Sequence, residues 1–171
     1  MKRYGGKMKF DADQYFRAAT ERMKQARLLY RQRDSDCYAL AMYMAGVAVE
    51  CLLRAFKNLH TDDLDERHDL QQLFRGSKML DSNEKFMTDR HLSDRVLRSA
   101  QEIRACMNEI CVLWANDYRY ASESRLKSEL ASRRLRGMKG DVLKASANRL
   151  VNAGERLVEQ GAIIWASLRR R

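Results

Sequence analysis

Apolar residues recur along this chain at helical spacing over most of its length. Ala12, Phe16, Ala19, Met23, Ala26 and Tyr30 follow one another at steps of four and three, which is one face of an α-helix. They predict a first helix over about residues 11–34. On another face of it, Arg17, Lys24, Arg27 and Arg31 form a cationic stripe at the same period. Asp34-Ser35-Asp36 supplies a turn and an N-cap for a second helix over about 36–58. From Cys37 to Val49 this helix carries no charge and is apolar on nearly every side, which predicts a central position in the fold. Glu50 closes the run, with Arg54 one turn later in the favourable acid-then-base order. A carboxylate so near a core needs a partner, so a structural ion pair is expected.

The pattern then weakens. Asn58 to Arg90 is acidic, with Asp62, Asp63, Asp65, Glu66 and Asp69 close together. A short helix is predicted over about 67–74, with Leu70 and Phe74 facing inward and a further turn near 83–88. A clean stripe of Leu92, Val96, Ala100, Ile103, Met107, Ile110 and Trp114 predicts a long helix over about 91–117. Basic residues dominate from 119 to 139, read as a loop or short exposed helix. The last helix, about 141–168, has the most regular stripe: Leu143, Ala147, Leu150, Gly154, Leu157, Gly161, Ile164 and Leu168. Small residues at 147, 154 and 161 let another helix approach closely, either within the fold or across a dimer interface.

Composition agrees with this reading. The 171 residues contain no proline and eight glycines. Proline breaks helix interiors, so its absence fits an all-α chain and argues against sandwiches, barrels and Rossmann folds. The expected architecture is an antiparallel four-helix bundle of long helices with a short cross-helix. Residues 1–10 are expected to be a flexible basic arm around Gly5-Gly6, and 11–171 a single domain.

Charge adds direction. The net charge is +10, distributed as +6 over residues 1–60, −4 over 61–117 and +8 over 118–171. Basic ends around an acidic middle suit a polyanionic partner such as RNA. Cys37, Cys51, Cys106 and Cys111 lack metal-ligand spacing and stand in apolar runs, as buried thiols in a reducing cytoplasm would. No metal or cofactor is expected. The opening decapeptide has no apolar stretch of a secretion signal, and the uncharged run of 13 residues is short for a bilayer, so no membrane association is expected. Nucleotide-binding glycine loops, the G-x-S-x-G elbow and H-E-x-x-H are all missing from the sequence.

Residues 41–60, AMYMAGVAVECLLRAFKNLH, and 67–74, RHDLQQLF, resemble the signature of HEPN domains. The matching positions are Ala48, Glu50, Leu53, Arg54 and Ala55 in the second helix, then His68, Asp69 and Leu70 at the opening of the short helix. Arg119-Tyr120 matches an Arg-Tyr pair ahead of the last long helix. The resemblance covers about residues 12–168. It implies a helical bundle, often dimeric, of a kind found in toxin–antitoxin pairs, in anti-phage systems and beside nucleotidyltransferases.

Many HEPN members cleave RNA without metal through an R-x4-6-H motif. Here no histidine follows His91, so that motif is missing after Arg119. The resemblance therefore implies a non-catalytic member that binds RNA or a nucleotide-bearing partner. The RNA-contacting candidates are Arg17, Lys24, Arg27, Arg119, Arg125, Arg133, Arg134 and Arg136, with Tyr118 and Tyr120 as base-stacking platforms. Glu50, Arg54, His68 and Asp69 are the motif's structural residues. One alternative is a metal-independent ribonuclease using Arg119, Glu123 and His68. The other is a homodimeric or accessory module docking through Ala147, Gly154 and Gly161.

Overall fold

A computed structural model of the chain describes residues 10–32, 35–61, 68–88, 93–133 and 135–169. The expected basic arm up to residue 9, the turn at Asp34, the acidic residues 62–67, His91, Leu92 and Arg134 lie outside the described residues. Those that are described form helices without a strand among them. They are α1 (Ala12–Arg31), α2 (Ser35–Asn58), α3 (Leu70–Ser77), α4 (Met79–Thr88), α5 (Ser93–Leu113), a 3-10 helix (Asn116–Tyr120), α6 (Glu123–Ser132) and α7 (Val142–Leu168).

Local chemistry sets several of these bounds. Asp11 accepts from the Gln14 backbone N–H while the Gln14 side chain accepts from the Asp11 N–H, a reciprocal capping box that starts α1. Asp69 caps α3 through the N–H groups of Gln71 and Gln72, and Asp141 caps α7 through those of Leu143 and Lys144. Lys78, at φ 52°, adopts the left-handed conformation that ends α3, and α4 begins at the next residue.

Three sequence expectations are corrected. The short helix lies at 70–77 rather than 67–74, and the turn near 83–88 belongs to a ten-residue helix, α4. α4 is held because Met79 is fully buried and Asn83 and Ser82 are nearly so. The long helix of 91–117 ends at Leu113. Trp114 and Ala115 leave the helix, and the chain re-enters it as a 3-10 turn at Asn116. The basic segment contains a true helix, α6, started by the Ser122 cap and anchored by the buried pair Leu126 and Leu130.

α2 packs against α1, α7 and α3, as its all-round apolar surface requires. Met42, Leu52, Leu53 and Phe56 are completely buried. The stretch Cys37–Asn58 is long and apolar enough to cross a membrane by length and composition, and most of it is buried inside the protein. Phe16 of α1 stacks on Trp165 of α7 at 4.7 Å with ring planes almost parallel, and Phe56 of α2 meets the same indole edge-on. Close approaches depend on small residues. The Trp114 indole lies directly on Gly46 of α2, Met23 and Val49 pack on Gly154, and Leu52 packs on Gly161.

Candidate functional site

Motif residues from α2 and from the loop ahead of α3 come together as one polar cluster. Glu50 is 8% exposed. Its carboxylate accepts from Arg54, with Nε at 3.0 Å and Nη2 at 2.9 Å. His68 Nδ1 lies 3.0 Å from both carboxylate oxygens and completes the set. The expected Glu50–Arg54 pair is therefore present and extended by a third member from the loop ahead of α3. A buried carboxylate needs such partners to offset the loss of its hydration. In the tautomer whose Nδ1–H donates to Glu50, Nε2 of His68 is the acceptor of the ring, and the side chain is 43% exposed. Asp69, next to His68, is the cap of α3.

His68 lines a cleft with Asp69, Gln71, Cys111 and Trp114, between α3 and α5. Burial pushes the Cys111 thiol pKa above its ordinary value, and the Asp69 carboxylate adds to that rise. Cys51, next to Glu50, is pushed up to about 11, chiefly by burial and then by the Glu50 charge. Both are therefore protonated thiols of low nucleophilicity at neutral pH.

A second cleft, about 340 Å³, opens beside the 3-10 helix and α6 and is lined by Asp117, Tyr118, Tyr120, Arg125, Glu129 and Arg133, among others. Here the two stacking candidates separate. Tyr120 is 76% exposed, with the Arg119 guanidinium 4.6 Å above its ring centre. Tyr118 is buried, and that burial raises its hydroxyl pKa against the opposing pull of Arg133. It anchors the 3-10 helix and offers no open face, so the stacking role expected for it is corrected. Trp114 borders the first cleft and Ala115 the second, so adjacent residues divide the two.

The remaining expected cations are dispersed. Arg125 and Arg136 are exposed, as are Arg17 and Lys24 on α1. Arg27 is engaged by Glu155 and by Asn152, whose Oδ1 accepts at 2.8 Å. Arg133 is tied to Glu129 and to the Val112 carbonyl. These two arginines are committed to helix packing. α1 packs on α2 and α7, and α6 packs on α7 and α2. Glu123, in the first turn of α6, is half-buried.

The small-residue seam is also corrected. Ala147, Gly154 and Gly161 are all buried, and the two glycines face Met23, Val49 and Leu52 of the same chain. The seam closes α7 onto α1 and α2 and is not an exposed dimer surface. Two features were missed by sequence reasoning. One is the close contact of Gly46 with Trp114, for which the only signal was a glycine inside an otherwise strong helix. The other is the pair Arg75 and Arg104, which line a cavity with Gln71, Phe74, Met107, Asn108 and Cys111. These arginines lie in segments with no net basic character, so charge patterning passed over them. Comparison with family models, with curated proteins and with solved structures finds no match to this chain.

Proposed function

We propose that this chain is a HEPN-like, non-catalytic RNA-binding domain whose contact surface is formed by Tyr120 and Arg125 of the cleft beside α6, with Arg119 against the Tyr120 ring. The observation that carries the reading is the exposed Tyr120 ring backed by the Arg119 guanidinium, beside an exposed Arg125. An aromatic face with flanking cations is what an unpaired base and its phosphate require. The Glu50–Arg54–His68 cluster supports the HEPN resemblance, because the motif residues serve one another.

The reading includes an antiparallel bundle of α1, α2, α5 and α7, with α3 across one side. It is supported by contacts at both ends of helix pairs. The Asn58 amide donates to the Phe10 carbonyl while Tyr30 meets Tyr38, and Ser99 meets Gln160 while Glu109 pairs with Arg149. A second reading, metal-independent RNA cleavage, is favoured by one observation: the carboxylate-held His68, with its ring partly open to a cleft.

One gel tests both. Labelled tRNA and single-stranded RNA are incubated with the protein in EDTA at 50 and 200 mM salt. The expected result is a shift without cleavage that weakens steeply with salt, as release of counterions from several phosphates requires. Binding should weaken at least tenfold in the double variant Arg119→Ala/Arg125→Ala. A shift indifferent to salt or to that variant would refute the proposal. Cleavage in EDTA that disappears in His68→Ala would install the second reading instead.

A further inference from the structure

The α3–α5 side of the protein is not used by the proposed RNA surface, yet it carries a groove built from distinct chemistry at its two ends. Two neighbouring cavities, of about 260 and 320 Å³, share Gln71 and Cys111 in their walls. At one end stand Arg75 and Arg104, from α3 and α5. Among the described residues neither makes a hydrogen bond or an ion pair. At the other end stand His68, fixed through Nδ1 by Glu50, and the Asp69 carboxylate. Met107 and Phe74 supply apolar surface beside the two arginines, with the Asn108 and Gln71 amides alongside.

Two guanidiniums on one cavity form a site for a phosphoryl group, since each presents a planar fork matched to its oxygens. A carboxylate at the far end repels a second anion and accepts from hydroxyls or amines. His68 can accept at Nε2 or, when protonated, donate. From Arg104 to Cys111 the helix rises roughly 10 Å, which sets the scale of a small molecule and not of a macromolecular face.

We propose that the α3–α5 groove binds a small organic phosphate, its phosphoryl group on Arg75 and Arg104 and its hydroxyl or amine groups on Asp69 and His68. The site lies on elements separate from the 3-10 helix and α6, so it stands whether or not those bind RNA. Cys111 lies in the walls of both cavities, and its half-buried thiol reports on occupancy.

The test is the rate of N-ethylmaleimide modification at Cys111, read by peptide mass spectrometry on the full chain. It is run with ribose 5-phosphate, adenosine 5′-monophosphate, inorganic phosphate or tRNA present. Either organic phosphate should slow modification at least threefold, and inorganic phosphate should do so less at equal concentration. The effect should vanish in Arg75→Ala/Arg104→Ala, and calorimetric binding should weaken at least tenfold. Both arginines are exposed, and circular dichroism checks that the variant keeps its helices. In Arg119→Ala/Arg125→Ala the protection should persist, which separates failure of this site from failure of the RNA surface. The proposal is overturned if neither organic phosphate protects Cys111, or if protection survives removal of both arginines. It is also overturned if inorganic phosphate protects equally, or if tRNA alone protects.

Discussion

The contact between Gly46 and Trp114 makes a sharp forecast for Gly46→Ala. In an open helix the change would stabilise by about 1 kcal/mol, because glycine is the more flexible residue. Here an ideal Cβ would stand 1.9 Å from Trp114 Nε1, 2.1 Å from Cε2 and 2.2 Å from Cδ1. Carbon contacts relax near 3.5 Å, so the ring would have to retreat by roughly 1.5 Å. It is a rigid group, 6% exposed and in the core, and overpacking of such sites costs about 1–3 kcal/mol. Three ring atoms under 2.5 Å place the cost at the upper end, for a net loss of about 2 kcal/mol after the helix gain.

Gly154→Ala provides the internal control. Its Cβ meets Met23 Sδ at 3.2 Å, the atom of a flexible side chain, so the helix gain should roughly balance the contact. Gly161→Ala, with Leu52 Cδ1 at 2.8 Å, should fall between the two. Thermal unfolding followed by far-ultraviolet circular dichroism should show Gly46→Ala melting about 4–8 °C below the parent, at 2–4 °C per kcal/mol for a chain of this size. Gly154→Ala should remain within about 2 °C on the same scale. If Gly46→Ala melts at or above the parent temperature, or if the order of the three variants reverses, the packing described around α2 is wrong. Trp114→Phe, which removes the Nε1 side of the ring, should restore part of the loss in a double variant, a coupling that a double-mutant cycle isolates.

Two further outcomes follow from the polar cluster. Glu50→Gln keeps the shape but removes the charge that Arg54 and His68 share; denaturant unfolding should show a loss of about 1–3 kcal/mol, and no loss would mean the cluster is decorative. The Cys51 thiol, with a pKa of about 11 in the fold against 9.0 for the free group, binds its proton more tightly folded than unfolded. Its stabilising effect is therefore complete below pH 9 and is lost as pH rises from 9 through 11, about 2–3 kcal/mol in all. Denaturant midpoints from pH 8 to 11 should show that decline, and Cys51→Ala should flatten it; an unchanged slope would refute the assignment.

Helix positions were legible wherever one face was apolar and regular. α1 and α7 emerged within three residues at either end, because the stripes of Ala19, Met23 and Ala26 and of Leu150, Leu157 and Ile164 do become core. The pattern failed where single residues decide. Lys78 in the left-handed conformation splits α3 from α4, and lysine gives no warning of that role. Trp114 satisfied the helical period and yet lies past the end of α5, since periodicity records which side is buried and not whether the backbone is still helical.

The site was legible in its local pairs and hidden in its distant ones. Glu50 and Arg54 are one turn apart and could be paired on spacing. Their joining by His68, 18 residues from Glu50, depends on how α3 is placed against α2. The same holds for the cation stripe of α1, from which Glu155 on α7 withdraws Arg27.

The placement of the two indoles gives the protein a pair of separate optical reporters. Trp165 is sandwiched among Phe16, Phe56 and the Arg169 guanidinium, so its emission follows the docking of α1 onto α7. Trp114 lines the cavity beside His68 and packs on Gly46, so its emission follows events between α3 and α5. Single tryptophan-to-phenylalanine chains would divide the fluorescence into two channels, one sensing whether the first helix is seated and the other sensing what enters the groove.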